Sequence, residues 1–562
     1  MPKGGTLQQP GSLAHSVRLD GMEGTVRTAI DRVRAQGLIE RIWARDYTVW
    51  SSAPAEIVDR LGWLDIATRM RGQVAQIAAL ANACRKEGYT QALLLGMGGS
   101  SLAPEVFRKA FDVSQGYLDL AILDSTAPEA VLAWHERLDL SQTLFLVSTK
   151  SGTTVETLSL FEFFYREVAR SLGSDHAGPH FVAITDPGSK LVAIAEEHRF
   201  RATILGDPNI GGRYSALSPF GLVPAALVGV DLAQLLDRAD EAAEMCGPGR
   251  TGEENPGLWL GAALGALAMH GRDKLTLVSS PQIASFESWI EQLVAESTGK
   301  DGRGILPVVG EALGSADRYG DDRVFVHLEI ADDTEVRQRL DELAALGHPV
   351  IRLRLRDVYD LGQQISLWEM ATAVASHLLG VHPFDQPDVE AAKVRARAML
   401  KSFAATGRLP QLDDAPVLPA QLPALLAARQ SGDYVSLQAF LSPSDDHAWA
   451  IETLRLAIRD RFCLATTWGY GPRFLHSTGQ LHKGGPNRGL FIQVTAEDQA
   501  DTAIGDDQQH DGKVVTFGVL KDAQARGDRQ ALMDAGRRVI HFDLGRDPVA
   551  RLTELAETVT TG

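Results

Sequence analysis

The stretch LLLGMGGSSLAP, Leu93–Pro104, runs an apolar strand into a glycine and serine turn and then into a helix. Such a turn suits an anion. Glycines at 96, 98 and 99 let the backbone come close, Ser100 and Ser101 add hydroxyl donors, and the unpaired amides of the next helix's first turn point at the same place. Pro104 fits an early helical position, where its missing amide costs nothing. A dinucleotide fingerprint would place glycines at 96, 98 and 101, but position 101 is serine, which weakens a nicotinamide reading. Taken alone, the segment could also be a glycine turn that only reverses the chain.

A second segment repeats the plan. In LFLVSTKSGTTVET, Leu144–Thr157, an apolar strand enters a Ser- and Thr-rich turn carrying Lys150, ahead of an amphipathic helix from about Val155 to Ala169. Strand ends in a parallel sheet line up on one edge, so both turns can converge on one phosphate. The first turn would offer Gly98, Gly99, Ser100 and Ser101, and the second Thr149, Ser151, Thr153 and Thr154, with Lys150 supplying the charge. The hydroxyls of the second turn could equally be helix caps, so the pair of turns is more specific than either one.

Working outward, strand patterns at 92–95, 118–123, 144–147 and 180–184 alternate with helical stretches, which predicts a doubly wound parallel sheet. A helical region from Ile39 to Gly88 precedes it, behind a first forty residues that are Gly- and polar-rich and expected to be partly loose. After a helical stretch at 222–245, the polar loop Gly247–Gly257 marks an expected boundary. Strands near 275–279, 323–328 and 349–355, interleaved with helices near 285–296, 334–346 and 365–379, then predict a second similar layer. Pro-rich Leu409–Pro423 leads into a third region ending in a strand, helix and strand pattern from Val514 to Asp543 and a final helix. The expected segments are 1–88, 89–246, 258–400 and 401–562.

Composition limits the partners. At 562 residues the chain exceeds one compact core. A hydrophobic fraction of 44% and a charged fraction of 23% are those of a globular protein. No long apolar run and no signal-peptide layout occur, so no membrane association and a cytoplasmic location are expected. Cys84, Cys246 and Cys463 are widely spaced and outside any metal-ligand pattern, which predicts reduced thiols and no metal. A net charge of −17 argues against nucleic acid.

Three further segments carry polar groups suited to chemistry. GGRYSALSPFG, Gly211–Gly221, puts Arg213 after two glycines, where a guanidinium can reach into a cleft or simply decorate the surface. EQLVAESTGKDG, Glu291–Gly302, ends an amphipathic helix at Glu296 before a small polar turn, a position suited to a general base. Glu287 and Glu291 precede it, and pattern alone does not distinguish Glu296 from a solvated helix face. FLHSTGQLHKGGPN, Phe474–Asn487, concentrates His476, His482 and Lys483 in a Gly-flanked segment that suits an anion or a sugar.

Taken in order, GMGGSS, STKSGTT, GGRYS, ESTGK and PFDQP resemble the glucose-6-phosphate isomerases over about residues 90–400. That resemblance implies an α/β fold of two tandem sugar-isomerase (SIS) domains, each an αβα sandwich on a mostly parallel sheet, with a helical N-terminal and a mixed C-terminal region. It implies a homodimer that interconverts glucose 6-phosphate and fructose 6-phosphate through a cis-enediol, without a cofactor. Glu296 would be the base, Arg213 would stabilise the enediolate, and Lys483 would act on the ring oxygen. His476, upstream of Lys483, would take the place of a substrate-contacting glutamine. The C-terminal region and RIWARDYTVW, Arg41–Trp50, look more like the isomerase half of bacterial transaldolase/phosphoglucose isomerase fusions, but no transaldolase-length barrel is present. A non-catalytic sugar-phosphate-binding regulator and a dual phosphoglucose/phosphomannose isomerase are the alternatives.

One departure from the family stands out. Its members usually carry a histidine downstream of the catalytic glutamate for ring opening, whereas residues 297–326 have none and offer Asp317, Arg318 and Tyr319 instead. His476, His482 and Lys483 are the replacement candidates. His377 is expected to be a core histidine, and His382, in HPFDQP, part of a structural turn.

Overall fold

The strands Thr143–Ser148, Phe181–Thr185, Arg323–Glu329 and Tyr434–Phe440 are buried on both faces, because adjacent apolar residues on a parallel strand need cover from both sides. A computed structural model describes residues 14–412, 417–505, 509–510 and 513–561, which form three larger sheets and one short hairpin. The chain divides into two compact units. Unit 1 holds Leu102–Leu120, Leu205–Asp385 and the described part of Met1–Gly88. Unit 2 holds Tyr89–Ser101, Ala121–Ile204 and the described part of Gln386–Gly562. The segments 89–246 and 258–400 are therefore each divided between units. The polar loop at 247–257 lies inside unit 1, where the helices on either side of it, Leu232–Met245 and Pro256–Met269, both pack on the helix Asp360–Leu379.

Unit 1 is built on a five-stranded sheet in the order Ala14–Arg18, Val350–Arg354, Arg323–Glu329, Lys274–Ser279, Leu306–Val308. All its neighbours are parallel except the first pair. That edge strand corrects the expectation of a loose N-terminal segment for the described residues. Ala14–Arg18 pairs antiparallel with Val350–Arg354, and EGTVRTAIDRVRA, Glu23–Ala35, is an amphipathic helix burying Val26, Ala29, Ile30 and Val33. Residues 1–13, part of the same expectation, lie outside the described residues. Close helix contact is set by glycine. A Cβ at Gly261 would stand 2.4 Å from the Ala371 carbonyl oxygen, so only a glycine lets Pro256–Met269 approach Asp360–Leu379 this closely.

Unit 2 carries two sheets. The first runs Asp119–Leu123, Gln91–Gly96, Thr143–Ser148, Phe181–Thr185, Ala202–Leu205, the doubly wound layer expected from the two turn motifs. The helix Val155–Leu172 covers one face, packing Leu160, Phe161, Phe163 and Phe164 into a core with Phe145, Phe181 and Phe517. The second sheet supplies the strands of the mixed C-terminal region, and its four strands are all parallel, in the order Ala465–Tyr470, Tyr434–Phe440, Gly489–Thr495, Arg538–Asp543. Buried Ser436 and Gln438 interrupt the apolar run YVSLQAF and disguise it as a polar segment. Val514 belongs to the two-residue hairpin with Gln509–His510 and not to this sheet. Residues 413–416, within the Pro-rich stretch, lie outside the described residues.

Candidate active site

In unit 2 the two motif strands are paired in register, Gly96 opposite Ser148, so their turns leave the sheet at one level. A Cβ at Gly96 would meet the Ser148 carbonyl oxygen at 3.0 Å, which explains why the turn opens on glycine. Gly98–Ser100 form a single 3-10 turn with Gly98 at φ +56, and the helix Leu102–Phe111 follows. Ser101, fully buried, donates its Oγ to the Gly98 carbonyl at 3.2 Å and to Asp124 Oδ2 at 3.1 Å. Gly99 and Ser100 complete that turn.

The second turn is held in the same manner. Thr149 bonds through its amide to the Ile184 carbonyl at 3.1 Å, and its hydroxyl lies 2.8 Å from that of Thr154. Ser151 Oγ accepts from the Thr153 amide at 3.2 Å and from the Thr153 hydroxyl at 2.9 Å. Lys150 Nζ lies 2.8 Å from Asp186 Oδ1, both side chains being partly exposed. The helix Val155–Leu172 begins directly behind, with no side-chain cap on its first amides. Helix amides without a side-chain cap, hydroxyls and an ammonium thus gather on one edge, donor types that suit an anion.

The C-terminal motif contributes to the same unit in two ways. Arg473 Nη1 lies 3.1 Å from Asp124 Oδ2, the carboxylate that also holds Ser101. His476 Nε2 lies 3.0 Å from Glu156 Oε1 in the first turn of Val155–Leu172, and Gln524 donates to the same oxygen at 2.7 Å. Burial works to raise the Glu156 carboxyl, but the charge and hydrogen bond of His476 outweigh it, and the carboxyl lies below its usual range. Lys483 Nζ is 2.5 Å from Asp528 Oδ1. His482 is not available for chemistry. It is fully buried between Ser436 and Gln438, and burial pushes its imidazole far below the ordinary value, so it is a neutral core residue.

In unit 1 the helix Phe286–Thr298 separates its three carboxylates, which are not a solvated face. Glu287 is buried and accepts from the Gly310 amide at 2.7 Å, while Glu291 is half-buried. Glu296, also buried, sits 3.5 Å from Arg213 Nη1 and accepts from Gln292 Nε2 at 3.2 Å. Arg213, in the turn Gly212–Tyr214, is buried rather than decorative. Its Nε donates to Ser297 Oγ at 2.8 Å, and Nη2 donates to the carbonyls of Pro383 at 2.5 Å and Asp385 at 2.9 Å. Lys300 grips the same PFDQP turn, 2.7 Å from Asp385 Oδ1 and donating to the His382 carbonyl. Burial, assisted by the Arg213 charge, pushes the Lys300 ammonium down to about 7.

Other sequence candidates resolve into structure. His382 Nδ1 accepts from the Phe384 amide at 3.1 Å within its own turn, and His377 bridges the Val49 carbonyl and Gln36. Tyr319 is a core residue packed edge-on to Phe325, while Asp317 and Arg318 are an exposed pair. His327 is buried in its strand and driven by that burial to about 4. Sequence reasoning missed Asp124, Asp186, Glu156 and Arg473. Asp124 and Asp186 each stand one residue beyond a strand, the half-buried Asp119–Leu123 and the buried Phe181–Thr185, which is a usable signal. Among the described residues no helix is long and apolar enough to cross a membrane.

Comparison with known proteins agrees with these turns. The family model described as phosphoglucose isomerase matches residues 30–303, which include both glycine and serine turns, GGRYS and ESTGK. A glucose-6-phosphate isomerase of Rubrobacter xylanophilus is 28% identical over 375 residues, covering 58% of this chain and 86% of that one. A probable glucose-6-phosphate isomerase of Natronomonas pharaonis is 30% identical over 346 residues, 55% of this chain and 78% of that one. Among solved structures, a hypothetical protein of Thermus thermophilus superposes with a TM-score of 0.58 at 27% identity, over 68% of this chain and 99% of that one. A glucose-6-phosphate isomerase of Chlamydia trachomatis shares the fold, with a TM-score of 0.51 at 18% identity over 69% of this chain and 86% of that one. With 30% identity across more than three quarters of a curated relative, and a family model spanning the glycine and serine turns, the arginine turn and the glutamate helix, the chain belongs to the phosphoglucose isomerase family.

Proposed function

We propose that this chain is a glucose-6-phosphate isomerase, an enzyme that interconverts D-glucose 6-phosphate and D-fructose 6-phosphate in glycolysis and gluconeogenesis. The observation that carries the reading is the buried Glu296–Arg213 pair at 3.5 Å, braced by three further hydrogen bonds from the guanidinium. A protein that only sensed sugar phosphate would have no use for a desolvated base beside a fixed cation.

The chemistry follows from those groups. The substrate phosphate is anchored by Gly98, Gly99, Ser100, Ser101, Thr149, Lys150, Ser151, Thr153 and Thr154. Glu296 takes the proton from C2 of open-chain glucose 6-phosphate as the C2–H electron pair moves into the C1–C2 bond, giving a cis-enediolate. The Arg213 guanidinium stabilises the oxygen charge that develops, the kind of preorganised interaction that is worth several kcal/mol. The O2 hydroxyl proton then moves to O1, Glu296 returns its proton to C1 as the C2 carbonyl forms, and fructose 6-phosphate results with no net change in redox state or proton count. Lys483 and His476 serve ring opening, and the reading includes a cytoplasmic homodimer.

The test is formation of fructose 6-phosphate from glucose 6-phosphate by purified protein in EDTA, without nucleotide. Glu296→Gln keeps shape and hydrogen bonding while removing the base, and loss of a general base costs on the order of a hundredfold or more. Full activity in Glu296→Gln would overturn Glu296 as the base, and an inactive wild type that still binds the sugar phosphate would leave a regulator.

A further inference from the structure

A turn that cups an anion has no hydrogen-bond ladder of its own, so the direction of its amides depends on what holds its carbonyls. The end of the strand Phe181–Thr185 holds the second turn. The Thr149 amide donates to the Ile184 carbonyl at 3.1 Å, and the Asp186 amide donates to the Lys150 carbonyl at 3.3 Å. Pairing of the strands Thr143–Ser148 and Phe181–Thr185 thus continues past the sheet and into the turn.

Thr185 adds a side-chain hold at the same place. It is fully buried, and its hydroxyl lies 2.7 Å from the Thr149 carbonyl, 3.3 Å from the Lys150 carbonyl and 2.6 Å from Ser189 Oγ. A hydroxyl has one proton to give. Spent on the Thr149 carbonyl, it leaves the Thr185 oxygen to accept from Ser189. A Cβ at Gly152 would stand 2.6 Å from the Leu191 nitrogen, so the turn also lies against the first residues of the helix Lys190–Glu197. A planar trans peptide points its N–H opposite its carbonyl. The Thr149 and Lys150 carbonyls, drawn toward Thr185 and Asp186, therefore aim the Lys150 and Ser151 amides the other way.

Resting on the phosphate cradle of the isomerase reading above, we propose that Thr185 is a positioning residue of that cradle. Its hydroxyl fixes the Thr149 and Lys150 carbonyls, and through them turns the Lys150 and Ser151 amides toward the substrate phosphate. None of the motifs that carry the family resemblance contains Thr185. It acts through the turn, without contact to the substrate.

Thr143 supplies a matched control. Its hydroxyl also donates to a backbone carbonyl at 2.7 Å, that of Asp139, and it is equally buried, but it stands at the opposite end of the strand that enters the turn. The test compares full-length wild type with Thr185→Val, Thr185→Ser and Thr143→Val. It measures the Kd of inorganic phosphate by calorimetry, KM and kcat for glucose 6-phosphate, and thermal melting. Thr185→Val should raise the phosphate Kd and KM about tenfold, the scale of one buried hydrogen bond, with kcat within about threefold. Thr185→Ser, which keeps the hydroxyl, should stay within about threefold of wild type, and so should Thr143→Val, although the two valine variants melt early to a similar extent.

A phosphate Kd within about twofold of wild type in Thr185→Val overturns the inference, and so does an equal rise in Thr143→Val. If Thr185→Val does not fold, Ser189→Ala decides, because it removes the group that directs the Thr185 hydroxyl; a rise below about twofold there overturns the inference as well. A wild type that binds phosphate without turning over glucose 6-phosphate overturns the isomerase reading, and the phosphate comparison still judges Thr185. A wild type that binds no phosphate overturns the role of Thr185, and turnover alone then judges the isomerase reading.

Discussion

Replacing Arg213 by lysine keeps the positive charge and removes the fork, so it separates geometry from electrostatics. The guanidinium spreads its donors in one plane over Ser297 Oγ, the Pro383 and Asp385 carbonyls and the Glu296 carboxylate. One ammonium on a flexible stem cannot reach four acceptors on two separate segments at once. At least two acceptors near the PFDQP turn would lose a charged donor, at about 1.5–3 kcal/mol for each such hydrogen bond when buried. A net destabilisation of about 2–4 kcal/mol is expected, because the ammonium recovers part of the loss. Glu296 would keep a nearby charge but lose a fixed one, and a misplaced catalytic contact costs on the order of a hundredfold in rate. The assay is kcat/KM for glucose 6-phosphate beside urea unfolding of the same preparation. If the Arg213→Lys protein came within about threefold of wild type in rate and matched it in stability, the view that the guanidinium's geometry organises this corner would be wrong.

Other outcomes follow from the same unit. Lys300 sits near 7 when folded against an ordinary 10.5, so between those values the unfolded chain binds a proton that the folded one does not, and stability rises with pH across that window. Below about 7 the folded protein carries the whole penalty, on the order of 4–5 kcal/mol, so Lys300→Met should resist urea better than wild type at pH 6. That advantage should shrink toward pH 10, and a pH-independent difference in urea midpoint would refute the assignment. On the helix Pro256–Met269, Gly261→Ala drives a Cβ to 2.4 Å from the Ala371 carbonyl oxygen, while at Gly265→Ala the nearest atoms are the Leu378 side chain at 3.1 Å and the Ala375 Cα at 3.3 Å. The first should destabilise by about 2 kcal/mol or more, and the second, offset by about 1 kcal/mol of helix propensity, should be close to neutral. Equal melting shifts for the two would count against close helix packing as the reason for glycine.

The parallel layers and both strand-to-helix turns are legible in the sequence because the signal is local: a short buried strand, a glycine that admits the neighbouring backbone, then helix amides. Lys150, Arg213, Glu296 and Lys483 are visible for the same reason, each beside glycine or a small polar turn. What was not legible is the set of charges that hold them. Lys150 is paired with Asp186, Arg473 with Asp124, His476 with Glu156, Lys300 with Asp385 and Lys483 with Asp528. A cation taken out of water needs a counter-charge, so these acids are required by the same burial that makes the cations useful. Their partners lie 36 and 349 residues apart for the Lys150 and Arg473 pairs, beyond the reach of any periodicity or spacing argument. The second sheet of unit 2 was obscured by a related cause, since Ser436 and Gln438 are polar in sequence yet buried against His482 in the fold. In both cases a polar residue reads as solvated until its distant partner is known. The strand-end position of Asp124 and Asp186 shows where such partners can be sought. A carboxylate one residue past a strand, on the edge where glycine turns gather, is better placed to pair with a cation from elsewhere in the fold than to decorate a loop.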